Sequence, residues 1–105
     1  MKTNMFNEVI ENQIKMCRDL LIIKGAEYAT EDRLHNFKTA ARMQECTIQQ
    51  ALAGMMAKHT VSIYDMCNSN KDYTMEYWDE KITDHINYLL LLKATLYEGD
   101  EIHEN

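Results

Sequence analysis

Three side chains late in the chain have the types and spacing that suit chemistry: Glu80, Asp84 and Asn87. On a helix the spacing i, i+4, i+7 stacks two carboxylates and an amide along one face. Oxygen donors on adjacent turns suit Mg²⁺ or Mn²⁺, which take one or two carboxylates and complete their shells with water and substrate phosphates. The same spacing also describes an ordinary solvated helix face, so the surrounding residues matter. They form the run WDEKITDHINYLLLL, residues 78–92, in which Trp78, Ile82, His85, Leu89 and Leu92 make an apolar stripe at helical spacing. The acidic side runs on into Leu91, with Leu90 flanking it. A helix apolar on two sides is expected to be buried on two sides. Carboxylates drawn into such a place need a cation, because an unpaired buried charge is costly.

A second group of polar side chains lies in residues 24–37, KGAEYATEDRLHNF. Glu27 and Glu31 form another E-x-x-x-E pair beside Asp32, with Lys24, Arg33, His35 and Asn36 close by and Tyr28 and Phe37 bracketing the stretch. By itself such a stretch more often makes a solvated turn. Its polar density predicts a segment that folds over the carboxylate face, anchored by Tyr28 and Phe37, and brings Glu27 toward Asp84. Lys24 and Lys58 are the cations placed to meet phosphates, or simply to face water. His59 and His85 fall on apolar stripes, where a hydrogen-bonded core histidine is the ordinary reading. Zinc is not supported, since no two histidines have helical ligand spacing and Cys17, Cys46 and Cys67 do not cluster. No Gly-rich phosphate loop or G-x-S-x-G nucleophile motif occurs.

The elements that must position these groups are helices. There is no proline, and Gly25, Gly54 and Gly99 are the only glycines, so the chain has few breakers. A first helix is expected from Thr3 or Asn4 to Ile23 or Lys24, with Gly25 ending or bending it. A short second helix spans residues 34–44, with Leu34, Phe37 and Ala41 facing inward and Met43 a further candidate. Thr47 and Gln50 form a capping box that starts a third helix carrying Leu52, Met56, His59, Ile63 and Met66 on one stripe. Residues 68–73 are a loop, and Thr74 caps the fourth helix. That helix is expected to end near Tyr97 or Glu98 with Gly99 as its C-terminal cap. Residues 1–98 then form a single helical domain, and 99–105 an acidic tail with no reason to fold.

Composition narrows the function. A formal net charge of −6 argues against a nucleic-acid binder, which uses a basic stripe along the phosphate backbone. It leaves room for small phosphorylated ligands held through a divalent metal. Eight methionines read as flexible core filler. Three widely spaced cysteines fit buried thiols in a reducing compartment. No leader pattern is visible, and no apolar run approaches the roughly 20 residues of a membrane span. The expectation is a cytoplasmic protein with no membrane partner.

Three stretches also resemble a known family. LLIIKGAEYATEDRLHNF is similar to the K-G-x-E-Y-(G/A) … N-F segment of phage and prophage nucleotide-modification-associated proteins. These are related to the MazG-like all-α nucleoside triphosphate pyrophosphohydrolases. TDHINYLLLLKA resembles the D-x-x-N-Y motif of that family, and MMAKHTVSIYDM its intermediate K-(H/R) helix. Together these segments cover about residues 20–94. The resemblance implies an antiparallel, MazG-like bundle of about four helices, usually oligomeric, with an Mg²⁺-dependent (or Mn²⁺-dependent) site for a nucleotide's phosphates. Position by position, it implies Glu27, Glu80 and Asp84 as metal ligands. Glu27, Asp84 and Lys58 become the catalytic set, and Lys24, Glu31, Asn36, Lys58 and Asn87 nucleotide contacts. The chain departs from the MazG pattern, which has E-x-x-E on one helix and E-x-x-D on the next. The pair at 27 and 31 is one residue wider, and the strict matches, Glu8 with Glu11 and Glu76 with Asp79, lie outside the similar segments.

Three readings follow. The first is an Mg²⁺-dependent nucleotide pyrophosphohydrolase of phage type. The second is a protein on the same scaffold that sequesters a nucleotide without cleaving it. The third is a helical interaction protein with an apolar oligomer face and no small ligand. A homo-oligomer is expected, since Leu89 through Leu92 and Leu96 need apolar neighbours that three other helices, one of them short, must supply.

Overall fold

The computed structural model describes the backbone of residues 1–28 and 32–104, and the side chains of residues 1–26 and 32–99. Among them there are only helices and short connections. Helix α1, Thr3–Arg18, passes directly into a π-helical stretch, Asp19–Lys24, and then into a last α-helical turn, α2, Gly25–Tyr28. Next come α3, His35–Gln44, α4, Ile48–Asn68, and α5, Met75–Glu104.

The starts of α4 and α5 follow from their caps. Thr47 Oγ1 accepts from the Gln50 N–H at 3.0 Å, and Gln50 Oε1 accepts from the Thr47 N–H at 2.9 Å, which completes the capping box. Thr74 Oγ1 accepts from the Tyr77 N–H at 3.1 Å and opens α5. Helix α3 ends where Glu45 turns left-handed at φ 54°. There Cys46 N–H donates to the Ala41 carbonyl at 3.0 Å, so the chain reverses directly into α4.

Helices α4 and α5 lie antiparallel, pinned at one end by Gln49 Nε2 donating to Thr95 Oγ1 at 3.2 Å. Near the other end Thr60 Oγ1 and His85 Nε2 are 3.1 Å apart. The core sits between α3, α4 and α5: Leu34, Phe37 and Leu52 are buried, with Ile48, Met55, Tyr88, Leu91 and Leu92 packed on them. Leu52 has 0% exposure and is the anchor of the cluster. Helix α1 also packs on α5, where Gln13 Nε2 donates to Thr83 Oγ1 at 2.8 Å. Lys38 Nζ ties the approach to α3 to the far part of α5, donating to Asp32 Oδ2 at 2.7 Å and Glu98 Oε1 at 2.6 Å.

Four expectations are corrected. Gly25 does not end the first helix; its φ of −57° and ψ of −33° are helical, and the irregularity lies just upstream in the π-helical turns. Met43 is 80% exposed, because the inward side of so short a helix is filled by Phe37 and Ala41. Helix α5 does not stop at Gly99 but continues to Glu104, since a glycine weakens a helix without terminating it unless the chain has somewhere else to go.

The fourth correction is the largest. The buried positions of α5 are Thr83, Asn87 and Thr95, four and eight residues apart, with Leu91 between them, whereas Leu89 and Leu90 are exposed. Burial on two sides is thus incomplete: Trp78, Ile82, His85 and Leu92 of the apolar stripe are half-buried, Leu92 against the core, but Leu89 and the flanking Leu90 face out. Which side of a helix is buried depends on where its neighbours lie, and α1 and α4 both approach α5 on its Asn87 side.

A cleft around Asp84 and Asn87

Asp84 and Asn87, three residues apart, share a cleft of about 330 Å³ formed where the π-helical turns meet α5. Leu20, Leu21 and Gly25 line it from the first helical rod, His59 from α4, and Tyr88 and Leu91 from α5, with Arg33 at its edge. Asp84 also borders an adjoining groove of about 340 Å³ lined by Asp19, Lys24, Asp79, Glu80 and Thr83, among others. Asp84 is half-buried and Glu80 exposed.

Asn87 is the unusual member. It is 6% exposed, and its Oδ1 has no hydrogen-bond partner among the described residues. The two other buried polar groups on the same side of α5 are satisfied. Thr83 accepts from Gln13, and Thr95 accepts from Gln49 while donating to the Leu92 carbonyl at 2.7 Å. A buried acceptor without a partner costs about 1–3 kcal/mol. Asn87 carries that cost at the wall of a cleft.

Arg33 and Gly25 explain each other. Arg33 Nη2 donates to the Leu21 carbonyl at 2.6 Å. To get there it lies across Gly25, where an added Cβ would collide with the guanidinium. A π-helical turn shifts the backbone hydrogen-bond ladder by one residue, and such turns recur at functional sites. Here the guanidinium caps one carbonyl of the turn and keeps further N–H donors, since it carries five. His59 and Tyr88 stack at a tilt with ring centroids 4.9 Å apart, and Tyr88 in turn meets Phe37 edge-on at 6.4 Å. His85, by contrast, is held by Thr60 and has the role of a partnered structural histidine.

The sequence-level candidates divide. Asp84, Asn87, Glu80 and Lys24 come together around the two adjoining clefts. Lys58 and Asn36 are exposed and line neither. Glu31 and the side chain of Glu27 lie outside the described residues, as does Tyr28's, so the approach of Glu27 to Asp84 is not on view. The segment that carries them does reach the cleft, through Gly25 and Arg33, and Phe37 is buried as its anchor. The sequence pattern does not single out Arg33 and Tyr88 as cleft residues, and it gives His59 only a core role. Among the described residues no three His, Cys, Asp or Glu side chains converge.

Comparison with protein-family models, curated proteins and solved structures gave no match.

No helix among the described residues is long and apolar enough to cross a membrane.

The donor set is hard oxygen: the Asp84 carboxylate and the unpartnered Asn87 amide oxygen at the cleft, with the carboxylates of Asp19, Asp79 and Glu80 along the groove beside it. That chemistry fits Mg²⁺ or Mn²⁺, which ask for one or two protein carboxylates and take their remaining ligands from water and phosphate.

Proposed function

We propose that the cleft binds a nucleotide through its phosphates together with Mg²⁺ or Mn²⁺, on a MazG-like scaffold. The observation that carries this reading is the buried, unpartnered Oδ1 of Asn87 beside the Asp84 carboxylate. An acceptor kept buried at a cost becomes intelligible if a cation or a ligand donor meets it there. Asp84 and Asn87 would hold the metal, with Glu80 and Glu27 as the further carboxylates that the family resemblance assigns. When bound, the metal supplies positive charge to the phosphates and acidifies a coordinated water.

The remaining groups complete the recognition. Arg33 and Lys24 border the clefts with cationic donors suited to phosphate oxygens. His59 and Tyr88, which both line the cleft, offer aromatic faces for a base. Lys58 remains the residue that the resemblance assigns to neutralising developing charge. Hydrolysis to a pyrophosphate product and simple sequestration share these residues and differ only in turnover.

The test is a panel of nucleotides with Mg²⁺ or Mn²⁺, read by melting shift and by pyrophosphate release. Ligand binding raises Tm by mass action. Asp84→Asn is expected to abolish metal binding by calorimetry with helicity unchanged. Unaltered metal affinity in that variant would remove Asp84 from the site. Metal-dependent release of pyrophosphate identifies a pyrophosphohydrolase; a melting shift without pyrophosphate release identifies a sequestering protein.

A further inference from the structure

The outward side of α5 has an internal symmetry. Taking Ile86 as a centre, Ile82 and Leu90 stand four residues to either side. Asp79 and Lys93 stand seven to either side, and Met75 and Tyr97 eleven. The spacings 4, 3, 4, 4, 3, 4 keep all seven on one helical stripe. The stripe reads apolar, charged, apolar, apolar, apolar, charged, apolar from either end, and its two charges have opposite sign.

Among the described residues this stripe is only partly covered: Asp79 borders the groove toward Asp19 and Lys24, and Leu90, Lys93 and Tyr97 border a cleft toward Leu21, Ile22 and Arg33. Met75 is 73% and Tyr97 70% exposed, Leu90 and Lys93 are exposed, and Asp79, Ile82 and Ile86 are half-buried. Among the described residues neither Asp79 nor Lys93 makes an ion pair. From Met75 to Tyr97 the stripe is about 33 Å long at 1.5 Å per residue.

We infer that this face pairs with a second copy of the chain, α5 against α5 in antiparallel orientation, about a two-fold axis at Ile86. A two-fold contact is self-complementary: residue i meets j, and j meets i. Here the axis sets Ile86 against its counterpart and Ile82 against Leu90. It sets Asp79 against Lys93 twice, and Met75 against Tyr97 twice. A different occupant gains nothing from the mirror spacing or from the sign reversal of the charges. Parallel pairing would instead set Asp79 beside Asp79 and Lys93 beside Lys93, like charges that repel. Leu89 and Leu96, also exposed, flank the stripe and add to the area covered.

The test uses charge reversal on the intact protein, with sedimentation equilibrium across the micromolar range. Wild type is expected at twice the 12.4 kDa of one chain. Asp79→Lys and Lys93→Asp each turn two attractions into two repulsions, and each should weaken self-association roughly tenfold. Mixing the two variants should restore it. The lysine introduced into one chain then meets the aspartate introduced into the other, and the unaltered Lys93 and Asp79 meet at the second contact. The double swap in one chain should restore it too. Leu90→Lys, an independent variant at an exposed position, should also dissociate the pair. A 12.4 kDa monomer throughout the range overturns the inference. So does a mixture that stays as dissociated as the separate variants, or a dimer that neither charge reversal weakens.

Discussion

The two sides of α5 contrast in an unexpected sense. Its inward side carries Thr83, Asn87 and Thr95, and its outward side carries Met75, Ile82, Ile86, Leu90 and Tyr97. The inward side also carries Tyr88, Leu91 and Leu92, which pack on the core, so its polar groups sit among apolar ones. Inward polar groups are tolerated where each finds a partner, and glutamines from α1 and α4 supply partners at Thr83 and Thr95. Asn87, lying between them, has none for its Oδ1 among the described residues. The lesson is that position on a helix decides burial, while partnering sets Thr83 and Thr95 apart from Asn87.

Several measurements probe that contrast. The largest effect is expected in the core that the inward side faces. Leu52→Ala removes a fully buried side chain and should cost about 2–5 kcal/mol in chemical denaturation. Leu90→Ala on the outward side, measured where the protein is dilute, should stay within about 0.5 kcal/mol. Equal losses at the two positions would deny that α5 has an open side.

Next come the inward polar positions, where sign matters more than size. Thr83→Val strands the Gln13 amide and should destabilise by about 1–3 kcal/mol. Asn87→Leu removes an acceptor that already lacks a partner, so it should leave stability unchanged or raise it by up to a similar amount. A smaller effect is expected at the π-helical turn. Gly25→Ala forces Arg33 off the Leu21 carbonyl, a solvent-facing hydrogen bond worth about 0.5–1.5 kcal/mol, but gains about 0.5–1 kcal/mol of helix propensity, so stability should change little. Nucleotide affinity should fall further than stability does, if Arg33 serves the phosphates.

The smallest effect concerns pH. Lys38 is raised above its usual range, first by donating to Asp32 and then to Glu98. Asp32 is lowered, first by accepting from Lys38 and then from the Leu34 N–H. A raised lysine contributes stability at low pH and loses it as pH climbs through its raised pKa. A lowered aspartate contributes above the ordinary carboxylate range and loses it as pH falls through its lowered pKa. Together they stabilise the fold between those limits. Lys38→Met should therefore lower Tm slightly at neutral pH, and the difference from wild type should vanish in acid. A difference that persists in acid would mean packing of the lysine stem, not charge, is at work.

What is legible in the sequence follows from what is local. The capping box at Thr47 and Gln50, the cap at Thr74 and the inward set Leu34, Phe37 and Ala41 depend on neighbours a turn away. The side of α5 that turns inward does not, because α1 and α4 choose it from a distance, and the helix is apolar on more than one side. The π-helical turns leave the apolar pattern of the Leu-Leu-Ile-Ile run readable as α-helix, so nothing local announces them. Asp84 and Asn87 are legible as a pair because they share one helix. Arg33 and His59 join them from other parts of the chain, and only the fold puts them together.

The decisive measurement is the unfolding free energy of Asn87→Leu and of wild type, each with and without Mn²⁺. Without metal the variant should be at least as stable as wild type. Saturating Mn²⁺ at 100 times its Kd should stabilise wild type by about 2.7 kcal/mol and leave the variant unmoved. A variant that is less stable than wild type, yet gains as much from Mn²⁺, would overturn this reading: Asn87 would then be a structural residue, and the metal would bind elsewhere.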